Sequence, residues 1–78
     1  SYIELGEKHA IIEVAVPDSW QGHSIGELDI RRKYGVNILG VKRNDKTDVN
    51  ISPETVLDSS LTLLVLGEYT VLKKCFRL

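Results

Sequence analysis

Only one of the 78 residues is a cysteine, so no disulfide can close the chain on itself, and no second thiol stands at a spacing that would build a zinc site. A reducing, cytosolic setting is the expectation. No apolar run approaches the roughly 18 residues that a membrane-crossing helix needs, and no charged-then-apolar leader opens the chain. Direct membrane insertion is therefore not expected. An excess of one charge is missing as well: Lys and Arg number 10, Asp and Glu 11, and the formal net charge is -1. The single Trp and single Phe do not interleave with basic residues, so a nucleic-acid polymer would find neither a cationic face nor a stacking platform. Neither G-x-G-x-x-G nor G-x-x-x-x-G-K occurs, which removes the standard phosphate-cradling loops. The histidines, His9 and His23, are isolated, and His23 with Glu27 at i, i+4 is too few ligands for a metal. No nucleophile stands beside an acid-base partner, so the chain is not expected to be an enzyme. Cys75 falls on an apolar stripe and reads as a small buried hydrophobe.

What is present describes one small folding unit. The hydrophobic fraction is 42% and the charged fraction 27% with both signs mixed, a composition that folds. A chain this short buries only about 60% of its unfolded surface, so a partner surface would help it. In "AIIEVAVP", Ile12, Val14 and Val16 share a face and Glu13 and Ala15 the other, the pattern of a half-buried strand ended by Pro17. "SIGELDIRRKYG" places Ser24 three residues before Glu27, the spacing of a capping box. Gly26 and Asp29 interrupt the pattern, which predicts a broken helix running to Tyr34 and closed by Gly35, with Asp29 as a second cap. "VNILGVKRN" and "KTDVNI" read as a hairpin turning at 44–46, and "SPETVLDSS" as a loop with Pro53 at its head. "LTLLVLG" is the most continuously apolar strand and the candidate for the centre of the sheet. In "EYTVLKKCFRL", Leu72, Cys75 and Phe76 make the stripe of a helix that docks on that sheet. The expected fold is α+β: a small, mainly antiparallel sheet with two helices on one face, in the order β-α-β-β-β-α.

The basic triplet Arg31-Arg32-Lys33 admits three readings. Cations in the last turn of a helix are favoured by its dipole, each by about 0.3–1 kcal/mol. Binding to a nucleic-acid polymer is the weaker reading, given the charge balance. The third is that one arginine holds a small anion, since its planar fork fits two phosphate oxygens at once.

The stretches "EVAVPDSWQGHSIGELDIRRKYGVNILGVKRNDK" and "ISPETVLDSSLTLLVLG" together resemble the C-terminal domain of the RCK/TrkA proteins, cytosolic regulators of potassium transport, and look most like the gating subunits of Ktr-type bacterial uptake systems. The likeness runs from about Ala10 to Gly67 and departs from the family at Ser59-Ser60, where Gly-Asp is frequent. It implies that residues 10–78 are an RCK C-terminal regulatory domain. Residues 1–9 would then end a linker from an N-terminal nucleotide-binding domain absent from this chain. It also implies a homodimer within a larger ring of full-length subunits, docked on a membrane potassium-translocating subunit at the inner face of the cell membrane. No cofactor is implied for this fragment. The implied regulatory ligand is cyclic di-AMP, bound at the dimer interface and inhibiting potassium uptake; the alternative is a structural dimerisation module of the same family, or a sensor of another ion or metabolite. The family pattern carries the ligand contacts onto Ile25, Ile38 and Pro53 as apolar walls for adenine, Asn37 for its edge and Arg31 for phosphate, with Arg32 as the second choice. Strand alternation points Asn37 and Ile38 in opposite directions, so both can reach one ligand only at a strand end or a twisted edge.

Overall fold

The alternation in "AIIEVAV" becomes the second of five strands. The computed structural model describes residues 2–78, in which β1 (Tyr2–Leu5) and β2 (His9–Ala15) precede a short 3-10 turn (Asp18–Trp20). Then come α1 (Ile25–Leu28), α2 (Ile30–Tyr34), β3 (Asn37–Arg43), β4 (Lys46–Asp48), β5 (Thr62–Glu68) and α3 (Tyr69–Phe76). All pairings are antiparallel and the strand order is β1-β2-β5-β3-β4, which puts "LTLLVLG" at the centre as its composition requires.

One sheet face makes the core. Ala10, Ile12, Val41, Leu63 and Val65 are buried on it beneath Trp20, Ile30, Leu57 and Leu72 from the helices and loops. Trp20 anchors this layer, with ring centroids 5.1 Å from Tyr34 and 5.5 Å from Phe76. On the other face the register sets Ile3 beside Ile11 and Leu66, and Leu64 beside Glu13. That face keeps apolar side chains partly in water: Ile3 is 60% exposed and Leu5 42%.

The α+β architecture thus stands, with one addition to its order and the expected break in its first helix. The segment expected as a linker contributes β1 to the sheet edge, because "YIEL" alternates and Gly6 at φ 68° turns the chain back into β2; Ser1 lies outside the described residues. The first helix is divided in two at Asp29, which adopts φ 50°, ψ 48°. Asn44 and Asp45 both take positive φ, 50° and 65°, the two-residue turn that matches strand twist.

Candidate functional site

The site grows from the division of that first helix. Ser24 Oγ accepts the Glu27 N–H at 3.1 Å, and Glu27 Oε1 accepts the Ser24 N–H at 2.8 Å, so the predicted capping box is present. The Ser24 N–H, followed by His23, holds the Glu27 carboxyl below the usual carboxylate range. The left-handed Asp29 then ends α1 after one turn and starts α2, tipping Arg31 and Arg32 out of the line that an unbroken helix would give them. Asp29 does not cap α2 with its side chain, as the sequence suggested. In the left-handed conformation its carboxylate turns instead to the Nε–H of Arg32.

A loop is laid across the front of α1. The Ile25 N–H donates to the Thr55 carbonyl at 2.9 Å and the Gly26 N–H to the Pro53 carbonyl at 2.8 Å, so the first N–H groups of the helix are satisfied by the loop rather than by water. Gly22 and Leu57 extend the seam, the Gly22 N–H donating to Leu57 O at 2.8 Å and the Leu57 N–H to His23 O at 2.9 Å. The approach at Gly26 needs a residue without a side chain: a Cβ there would stand 2.9 Å from Pro53 Cβ and 3.0 Å from its carbonyl oxygen.

Between this loop, the divided helix and the start of β3 lies a cavity of about 490 Å³. Ile25, Arg31, Asn37, Ile38 and Pro53 all line it, as does Arg32. The structure therefore brings together every residue that the family pattern selected. Asn37 and Ile38 pair with Leu66 and Val65 and so occupy opposite sheet faces. Both reach the cavity because they are the first two residues of β3, and because β4 pairs only with 41–43, leaving that end of β3 free on its outer side. A register shift between Ile38 and Gly40 adds local twist.

The two arginines differ in state. Arg32 is engaged by Asp29, whereas the Arg31 guanidinium, exposed at the rim, makes no hydrogen bond or ion pair among the described residues. Arg31 is thus the donor open to an incoming anion. Sequence reasoning passed over Gly26, Asp29, Ile30 and Val36, which also line the cavity; the glycine inside a capped helix was the one signal available for them. Counting the lining charges, Arg31 and Arg32 against Asp29 leave one positive charge. Among the described residues no group of three or more His, Cys, Asp or Glu gathers as a metal site, and no helix is long and apolar enough to cross a membrane.

Residues 9–77 match the TrkA-C domain. Over 69 residues the chain is 35% identical to Ktr system potassium uptake protein C of Bacillus subtilis (strain 168), covering 88% of this chain but 31% of that protein. Its fold is similar to the RCK C domain of the potassium transport protein KtrA, solved in complex with cyclic di-AMP, at TM-score 0.79 and 30% identity over 88% of this chain and 81% of that one. It is similar too to the GsuK RCK domain, at TM-score 0.81 and 28% identity, covering all of this chain and 17% of that one.

Proposed function

Because the chain belongs to the TrkA-C domain family, a family of regulatory domains, we propose that it senses cyclic di-AMP and thereby inhibits a potassium transporter through its gating subunit. The observation that carries this reading is the convergence of Ile25, Arg31, Asn37, Ile38 and Pro53 on one cavity, with the Arg31 guanidinium uncommitted. Adenine presents flat apolar faces and a polar edge. Ile25, Ile38 and Pro53 supply walls for the first, and the Asn37 amide, which donates and accepts, suits the second. Phosphate calls for a charge-assisted donor, and Arg31 is free to be one.

Cyclic di-AMP has two-fold symmetry, and an isologous dimer presents every residue twice about an axis of the same kind. One arginine per subunit then meets one phosphodiester each. The ligand would shift the dimer between geometries only by binding one more tightly than the other. The half-open sheet face bearing Ile3, Ile11, Leu64 and Leu66 offers a second copy an apolar surface, and Asn37 shares that face with the cavity rim. Since the chain spans about a third of the curated relatives it matches, 31% of the potassium uptake protein C length, its parent subunit, ring, membrane partner and place at the cytoplasmic face of the membrane all belong to the proposal.

Titration calorimetry and thermal shift with cyclic di-AMP test it. Binding with a stoichiometry of one ligand per two chains is the expected result. Absence of heat and of any shift at high micromolar ligand sinks the reading, and a dimer that persists without binding would favour the purely structural dimerisation module, for which the exposed Ile3 and Leu5 are the supporting observation.

A further inference from the structure

The cavity carries a carboxylate for which a doubly anionic ligand has no use. Asp29 lines it beside Arg31 and Arg32, half-buried, with its side chain turned to Arg32. The backbone does not explain an acid at this place. Asn adopts the left-handed conformation as readily as Asp does. The backbone of the junction is held by main-chain groups: the Asp29 N–H donates to Ile25 O and Gly26 O at 3.2 Å, and Asp29 O accepts the Lys33 N–H at 2.9 Å. Nor does the ion pair explain it, since an i, i+3 pair whose arginine side chain is 76% exposed adds little stability.

We propose that Asp29 sets the charge of the ligand, admitting one monoanionic phosphodiester per subunit and rejecting a dianionic phosphomonoester. This deepens the cyclic di-AMP reading and rests on it. Asp29 cancels Arg32 and leaves Arg31 as the single uncompensated charge lining the cavity of each subunit. Two subunits then present two positive charges to the two phosphodiesters of the cyclic ligand. A linear diadenylate with a 5′-phosphate, the product of opening one phosphodiester, carries a terminal group of about −1.5 to −2 charge at pH 7. The surplus has no cation to meet and lies against the Asp29 carboxylate, which disfavours it. The cavity would therefore register the intact ring and ignore its hydrolysis product.

Calorimetry on the wild-type chain, Asp29→Asn and Asp29→Gly, with cyclic di-AMP and with linear 5′-phosphorylated diadenylate, tests this. Both substitutions accept the left-handed backbone, so either keeps the test alive if the other folds poorly. The wild type should prefer the cyclic ligand, and each variant should narrow the cyclic-to-linear affinity ratio by about tenfold, chiefly by gaining the linear one. A ratio unchanged in the variants, with cyclic di-AMP still bound, overturns the role of Asp29 and leaves the sensing reading intact. No binding of cyclic di-AMP by the wild type overturns both.

Discussion

Two concavities formed by the described residues stand in contrast, and the larger of the two is the poorer candidate. It measures about 1130 Å³ and runs between the 3-10 turn, the end of α2 and α3, lined among others by Trp20, Lys33, Tyr34, Lys74, Phe76 and Arg77. Its floor is core: Trp20 is 2% exposed and packs on Tyr34 and Phe76. Its cations sit at helix C-termini, Lys33 in the last turn of α2 and Lys74 in that of α3, where the dipole already accounts for them. Cys75 lines it, and burial pushes its thiol up from the ordinary pKa, which disfavours the thiolate. The smaller concavity, about 490 Å³, instead gathers a free guanidinium, a side-chain amide and the aliphatic surfaces of Ile25, Ile30, Val36, Ile38 and Pro53. Size alone is therefore a poor guide. Polar groups left without a use in folding are a better one.

The contrast can be broken most forcefully at Trp20. Trp20→Ala should cost about 3–5 kcal/mol of stability in denaturant unfolding, because the floor of the larger concavity is load shared with the core. Loss of ligand binding without loss of stability would reverse the assignment. Arg31→Ala should weaken cyclic di-AMP binding by about 1.5–3 kcal/mol in calorimetry with the melting temperature kept, while Arg32→Ala should cost much less because Asp29 already holds that guanidinium. Equal losses would mean that the two arginines act together. Gly26→Ala should destabilise the chain by about 1–3 kcal/mol and weaken binding too, since its Cβ would force Pro53 away from α1. Chemical denaturation with a parallel titration reads both effects. Lys33→Ala, on the larger concavity, should cost only about 0.3–1 kcal/mol of stability and leave the ligand affinity unchanged.

Acid separates the regions most gently. Glu27, in the capping box beside the smaller cavity, and Asp58, held down by the Ser60 hydroxyl, then the Ser60 N–H and Arg43, both have lowered pKa values in the folded chain. A lowered folded pKa stabilises above the unfolded value, and that stabilisation is lost as pH falls through the folded one. Thermal melts from about pH 7 to about pH 2 should therefore decline below the ordinary carboxylate range, and Glu27→Gln or Asp58→Asn should flatten the decline. An unchanged acid limb would show that neither carboxylate contributes.

Much of the molecule was legible residue by residue. The capping box, the break at Asp29, the Gly35 stop at φ 74°, the 44–45 turn and the Leu72 stripe each depend on backbone within a few positions, and each is present. The Asp58-Ser59-Ser60 turn is present too, although it departs from the family pattern, because Asp58 Oδ1 accepts the Ser60 N–H at 2.8 Å. β1 was missed although "YIEL" alternates, since four residues at an edge give a short signal that pairing with β2 completes. The residues that the family pattern selected lie together around one cavity. Strand alternation required a strand end or a twisted edge for Asn37 and Ile38 to reach one ligand, and they open β3; nothing in the sequence showed that β4 would stop short of them, or which arginine was free.

By itself, then, the sequence determined the strand and helix pattern from β2 onward, the division of the first helix and the central place of "LTLLVLG", because hydrophobic period and turn chemistry act locally. The tertiary structure alone decided that residues 25–26, 29–32, 36–38 and Pro53 enclose one space. That outcome depends on Gly26 meeting Pro53 across 27 positions of chain, on β4 stopping short of Asn37, and on Asp29 turning to Arg32 so that Arg31 stays free. Each is a contact between segments, set by packing and hydrogen bonding once the core has formed.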